Sequence, residues 1–284
     1  MTITADKQVE FDGLLLADRY EIRQIVGLAG MPPVRTSDLT IAGRHGERGG
    51  FDYLAGRTVT LDIDVYAWSS AEFADAVAEL REVFQPRESG AGVLAFQLPG
   101  IAGGQTARLN CRPRRMALPL EPTYWADFAT CSVELFAPDP VLYSDTAYEQ
   151  TTTLPSAGGG LEFDVEFDAV FGAVSTGGTI FADNQGTWPA DVVIRIDGPA
   201  VNPRVENLTT GQTIALSYNL GSGEYLLIDT QQRTVLLNGT ASRYSALTDA
   251  STWWRLAPGV NDVTFRATTS TAATMTLSWR SAWL

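Results

Sequence analysis

The chain has 284 residues, of which 45% are hydrophobic and 19% charged, with a formal net charge of -13. That length suffices for two domains with cores of their own, and the composition is globular, which excludes a disordered chain. The acidic excess runs through both halves, with 13 basic and 19 acidic residues up to Pro140 and 7 against 14 after it. A surface of that sign repels phosphate, so ordinary nucleic-acid binding is disfavoured. Lysine occurs once, at Lys7, and every other cation is Arg, which reads as a coding bias of the source.

The start, MTITADKQVEFDG, has neither a basic leader nor an apolar run, so no secretory signal is expected and synthesis in a cytoplasm is. The longest uncharged stretch, Ser89 to Ala107, is broken by Pro99 and several glycines and is too weakly apolar to cross a bilayer. From Val9 to Val26 a strand, a turn at Asp12-Gly13 and a second strand follow one another. Pro32-Pro33 then breaks the run, and a short strand at Thr36 to Ile41 precedes the Gly-rich loop GRHGERGG at 43 to 50. In RTVTLDIDVYAW, Val59, Leu61, Ile63, Val65 and Ala67 alternate with polar residues, the mark of a half-buried strand.

One helix is predicted near 70–85. Ser69 and Glu72 have the spacing of a capping box, and Phe73, Val77, Leu80 and Phe84 recur at helical spacing until Pro86. Its apolar stripe either caps the sheet or lies at a subunit interface. Val93 to Leu98, Ala107 to Cys111 and Phe128 to Phe136 supply further strands. Arg108, Arg112, Arg114 and Arg115 sit on a strand and its exit loop, where they cannot all point one way; a solvated, salt-paired surface is expected of them. Cys111 and Cys131 read as two buried thiols.

Prolines around Asp139 close the first domain at 1–140, the polar stretch 141–160 with its GGG reads as a linker, and 161–284 forms the second domain. There Leu161, Phe163, Val165 and Phe167 alternate with Glu162, Asp164, Glu166 and Asp168. Val192, Ile194 and Ile196 then share one side of a strand, with Val193, Arg195 and Asp197 on the other. Asn184, Gly186, Pro189, Gly198-Pro199, Asn202-Pro203 and Thr210-Gly211 set turns around it. Tyr225 to Asp229 and Arg233 to Leu237 form a hairpin, and the last strands are Val263 to Thr268 and Thr274 to Trp283. Many short strands in this space point to a β-sandwich or jelly roll, and the fold class is mainly β with one helix in the first domain.

The inventory for catalysis is thin. His45 is the only histidine, and one His with two distant Cys makes no metal-binding spacing. No phosphate loop, dinucleotide fingerprint or nucleophile elbow is present, and no catalytic residue, metal or cofactor is assigned. The carboxylates from Glu162 to Asp168 leave a glycosidase formally open. Five of the seven tryptophans, Trp188, Trp253, Trp254, Trp279 and Trp283, lie in the second half, and the pair Trp253 and Trp254 are candidate carbohydrate contacts.

The strings FAPDPVLYS at 136–144, NQGTWPADVVIRIDGPAVNPRVENLTTGQTI at 184–214, GEYLLIDTQQRTVLLNG at 223–239 and WWRLAPGVNDVTF at 253–265 together resemble the distal tail proteins of long, flexible-tailed (siphovirus-type) bacteriophages. The first half agrees more loosely, through GRHGERGGFDYLAGRTVTLDIDV and the helix. The resemblance implies a structural virion protein at the distal end of the tail. It would form a hexameric ring from a domain related to tube proteins, with a galectin-like β-sandwich projecting outward. Its implied partners are the tail tube and the tail-tip or baseplate hub proteins, with DNA passing through the channel. The chain lacks the long insertion that would make an extra carbohydrate-binding module, which weighs against direct receptor binding.

Overall fold

The computed structural model describes residues 3–155, 177–268 and 272–284. The chain divides into two units, one of Met1–Asp145 with Trp283–Leu284, the other of Thr146–Ala282. The predicted strand Leu161 to Asp168 lies outside the described residues.

In the first unit the sheet runs in the spatial order Leu14–Leu15, Gln8–Phe11, Gly92–Gln97, Ala107–Ala117, Phe128–Ala137, Arg57–Tyr66, Tyr20–Val26. Every neighbouring pair is antiparallel. The turn at Asp12-Gly13 has both residues at positive φ (48° and 93°), which suits the twist of a tight hairpin. Arg57–Tyr66 and Phe128–Ala137 pair without interruption from Phe128 opposite Tyr66 to Ala137 opposite Arg57. Period-2 alternation therefore puts Val59, Leu61, Ile63 and Val65 with Ala129, Cys131, Val133 and Leu135 on one buried face. Pro113 is accommodated where the register shifts between Pro113 and Arg115, since a bulge tolerates a missing amide donor.

The helix spans Ser70–Val83, with the Ser69 hydroxyl accepting from the Glu72 amide at 3.3 Å. Its apolar stripe faces inward. Phe73, Val77, Leu80 and Phe84 are all buried in the core, and Phe84 stacks on Phe11 at 4.8 Å. Burying four such side chains stabilises the unit by roughly 1.5–3 kcal/mol each. These four residues attach the helix to the core of its own unit.

Cys111 and Cys131 are buried free thiols. Arg112 pairs with Phe136, which puts Cys111 level with Ala137, six residues along the neighbouring strand from Cys131. At about 3.4 Å per residue, that offset holds the sulfurs far beyond bonding distance.

Among the described residues the second unit holds a two-stranded pairing of Ala200–Val201 with Asn219–Leu220 and two larger antiparallel sheets. One is ordered Tyr148–Thr153, Thr274–Trp279, Val192–Asp197, Tyr225–Asp229, Thr234–Leu237, Ala241–Ser242; the other Thr179–Asn184, Gly259–Arg266, Arg204–Asn207, Gln212–Ala215. The first buries Ile194, Ile196, Leu226, Ile228, Met275 and Leu277, the second Val205, Ile214, Val263 and Phe265. Two sheets with one buried face each are the arrangement of a β-sandwich. Within the expected linker, Leu142–Ser144 pairs with Ala107-Arg108 and Tyr148–Thr153 with Thr274–Trp279. A threonine-rich edge strand keeps one side in water, and its polar composition is why it reads as a link.

Buried asparagines tie the turns of this unit. Asn184 donates to the carbonyls of Trp188 (2.8 Å) and Leu256 (3.3 Å) and accepts from the amides of Gly186 and Ala282, each at 3.1 Å. Asn207 accepts from the Thr209 amide at 3.1 Å and donates to Asn261 Oδ1 at 3.3 Å. Asn261 in turn donates to the carbonyls of Ala257 and Gly259 at 2.7 and 2.9 Å. Each amide side chain satisfies both donor and acceptor sites, so it replaces several backbone partners at a chain reversal.

Candidate interaction surfaces

Between the strands Tyr20–Val26 and Arg57–Tyr66 the chain makes a long excursion. Within it, Val34–Arg35 pairs with Tyr53–Leu54 and Leu39–Thr40 pairs with Glu47–Arg48. The second pairing turns the Gly-rich loop into the tip of a ribbon, with exposed His45 at its end. Residues 33–53 are exposed throughout, including the apolar Val34, Leu39, Ile41, Phe51 (78% exposed) and Tyr53. A two-stranded ribbon with no core beneath it is marginal alone in water, and this arm holds apolar surface that no other segment among the described residues covers. Its charges balance, with Arg35, Arg44 and Arg48 against Asp38, Glu47 and Asp52.

The root of the arm is pinned by one buried cation. Arg57 Nη1 donates to the carbonyls of Gly27 (3.1 Å), Leu28 (2.6 Å) and Gly30 (2.7 Å), and its Nε donates to Pro140 at 2.9 Å. Burial depresses its pKa from the ordinary guanidinium value. Gly27 sits at φ 85°, and a Cβ there would lie 2.1 Å from the Thr58 carbonyl oxygen. Only glycine therefore lets the arm leave the sheet at this point.

At the start of the helix, Trp68 (96% exposed) and Trp125 (80%) stand on segments joined by the 2.9 Å hydrogen bond from Ser70 Oγ to Asp127. On the sheet face turned from the core, Asp62 pairs with Ser132 and Asp64 with Thr130, whose hydroxyl donates to Asp64 at 2.6 Å. Of the four arginines, Arg114 and Arg115 are exposed and Arg112 is half-buried. Arg108 pairs with Asp145 at 3.9 Å, and Arg114 lies over the Phe136 ring at 5.3 Å.

In the second unit the structure parts the two candidate carbohydrate contacts. Trp254 is 1% exposed and belongs to the core, as neighbours in an extended segment must point to opposite sides; it offers no ring face to a ligand. Trp253 is half-buried and lies nearly parallel to Tyr244, with ring centroids 6.2 Å apart and an interplanar angle of 26°. Trp279 and Trp283 are buried as well. Sequence reasoning missed Tyr244 and the exposed arm. The glycines, the single proline pair Pro32-Pro33 and the short strand at Thr36 to Ile41 were the arm's sequence signal, and no periodicity marks Tyr244 as a neighbour of Trp253. The carboxylates Glu162 to Asp168 lie outside the described residues. Among the described residues no three His, Cys, Asp or Glu gather in a metal-holding group, and no helix is long and apolar enough to cross a membrane.

Residues 185–283 match the family model of the siphovirus-type tail component, C-terminal domain. Over the whole chain the fold is similar to SPP1 Dit (gp 19.1), a protein titled a paradigm of the hub adsorption apparatus in phages infecting Gram-positive hosts. The TM-score is 0.67 at 14% identity, covering 98% of this chain and 99% of that one. At that identity the likeness is one of fold. A chain of the phage P2 baseplate in its activated conformation with Ca aligns at TM-score 0.49 and 10% identity, over 95% of this chain and 97% of that one. No curated protein sequence matches the chain. The mainly β fold with one helix and the siphovirus tail resemblance read from the motifs at 184–265 are thereby borne out.

Proposed function

We propose that this chain is a structural component of a siphovirus-type tail, the distal hub that joins the tail tube to the tail-tip or baseplate proteins. The observation that carries the reading is the chain-long fold likeness to a tail hub protein combined with the tail-component match of residues 185–283. In this reading copies of the first unit close into a hexameric ring around a channel for DNA, and the second unit projects as a galectin-like sandwich. The protein is assembled in the host cytoplasm, resides at the distal end of the tail in the virion, and works without catalysis or cofactor.

The exposed arm supports self-assembly. It presents apolar residues that need a cover, and its balanced charge lets it meet another copy of a -13 chain without repulsion. A head-to-tail contact of arm on neighbour is heterologous, the kind that closes rings. Carboxylates such as Asp62 and Asp64 on the sheet face away from the core favour a channel along which DNA slides without sticking. Light scattering and negative-stain microscopy of the full chain, alone and with the tube and tip proteins of its virus, test this. Rings are expected, and a variant with residues 34–53 replaced by a short Gly-Ser link is expected to stay monomeric. A wild-type chain that is monomeric at every concentration and with every tail partner would overturn the proposal.

A further inference from the structure

The second unit contains a preformed cavity of about 310 Å³ beside Tyr244 and Trp253, floored by Ile214 and walled by Leu247, Thr248 and Asp249 with Ser251 and Thr252. We infer that this cavity is a binding site for a neutral saccharide ring, a property independent of ring assembly.

Three observations carry the inference. The first is rigidity. The segment 244–252 is stitched to the neighbouring strand and its exit by Ser217 N donating to Ala246 O (2.8 Å), Thr248 N to Ala215 O (3.0 Å) and Thr252 N to Thr213 O (2.7 Å). The Ser251 hydroxyl adds a further pin, accepting from Ala215 N at 3.0 Å and donating to Ala215 O at 2.8 Å. Such a cavity does not have to be organised by its ligand, and its volume falls at the lower end of the range of about 300–1,000 Å³ for small-molecule sites.

The second is the aromatic wall. A 6.2 Å centroid separation between nearly parallel rings slips one well clear of the other, so much of each face stays uncovered, and Tyr244 is 53% exposed. A pyranose presents a face of C–H groups that stacks on such rings, with hydroxyls around its edge. Both rings carry a polar end as well, the phenol of Tyr244 and the indole N–H of Trp253, which suits a ligand that is apolar on one side and wet on the other.

The third is the charge of the lining. Thr248 and Thr252 bring hydroxyls, the Ser251 hydroxyl being spent on Ala215, and Asp249 brings an exposed carboxylate able to accept from two vicinal hydroxyls. Among the described residues no Arg, Lys or His lines the cavity, while Arg243 is turned to Tyr218 and its own neighbour's carbonyl. An anionic sugar or a phosphate would meet Asp249 with nothing to balance it, which selects neutral rings.

Saturation-transfer NMR and titration calorimetry on the full chain, with D-glucose, D-galactose, N-acetylglucosamine and cellobiose as probes and N-acetylneuraminic acid and inorganic phosphate as anionic controls, test the site. At least one neutral sugar is expected to bind at millimolar concentration and neither anion to do so. Tyr244→Ala, at an exposed position outside the core, and Asp249→Asn are each expected to weaken that binding by about tenfold or more. Trp253→Phe, which keeps an aromatic ring, is expected to retain most of it. Absence of binding by all four neutral sugars, binding unaltered in both Tyr244→Ala and Asp249→Asn, or preference for the anions would each overturn the inference.

Discussion

Asn184 offers the sharpest test of how the second unit is held. In Asn184→Leu the apolar volume is nearly kept, but the amides of Gly186 and Ala282, both in buried residues, lose their acceptor, and the Trp188 carbonyl loses its donor. The Leu256 carbonyl keeps the Ala190 amide, at 2.9 Å. An orphaned buried donor costs about 1–3 kcal/mol, so two of them destabilise the unit by about 2–6 kcal/mol. That is a large part of the 5–15 kcal/mol by which a domain is ordinarily stable. Urea unfolding of the full chain, followed by tryptophan fluorescence, should show the transition of this unit moving to lower denaturant. Asn184→Asp separates hydrogen bonding from packing. Its oxygens still accept from both amides but now also face the Trp188 and Leu256 carbonyls, which raises the folded-state pKa above the usual value of about 3.9. The folded state then binds more protons than the unfolded one, so stability is greatest at acid pH and falls as pH rises through the folded pKa. A loss under about 1 kcal/mol in Asn184→Leu, on the scale of an ordinary surface substitution, would refute the argument and leave the turn to its backbone pairing.

Arg57→Met should loosen the root of the arm. Four carbonyls lose a charged donor while a buried cation is removed, and the opposing terms leave a loss of roughly 1–3 kcal/mol, visible as faster amide exchange over residues 28–35 and a lower urea midpoint. Unchanged exchange there would remove Arg57 from this role. Cys111 and Cys131 should resist thiol reagents in the native protein at pH 8 and react on unfolding, because burial pushes their thiols up to about 12 and about 11 from an ordinary value of 9.0. The folded state keeps protons the unfolded chain has released, so stability from these groups is full below about pH 9 and declines as pH rises towards 11 and above. Rapid native labelling at pH 8 would contradict their burial.

The long strands and the helix were legible because each imposes a period on a single face. Val59 to Val65 alternates strictly, and Phe73 to Phe84 keeps one stripe, so local pattern and tertiary burial agree. The turns at Asp12-Gly13 and Asn184 to Pro189 were legible through residues that tolerate or stabilise reversals. The edge strand Tyr148–Thr153 was not, because three threonines with Glu and Gln on a strand wet on one side have the composition of a linker. Of the arm, the short strand within Thr36 to Ile41 was legible and the other three strands were not. Its strands are two residues long and almost wholly exposed, so no alternation records them. Trp254 failed as a candidate contact because composition says which residues are aromatic and not which of two neighbours turns inward. Tyr244 joins Trp253 only through tertiary contact.

The sandwich shows why a fold can be shared at 14% identity over nearly the whole length. A core position such as Ile194 or Leu277 asks for an apolar side chain of suitable volume, and several residues meet that demand at modest cost. A turn position asks for more. At Gly186 an added Cβ would lie 1.7 Å from the Ala282 carbonyl oxygen, so even one methylene displaces the backbone opposite. At Asn184, Asn207 and Asn261 the side chain must donate and accept together in a buried place, which leaves few substitutes. The specificity of such a sequence therefore concentrates at its chain reversals. These are also the positions that carry the resemblance in NQGTWP and VENLTTG, so the same residues that hold the sandwich make it recognisable. For a protein proposed to work as a scaffold, this is the expected distribution: the constrained residues are those that fix where the surfaces stand.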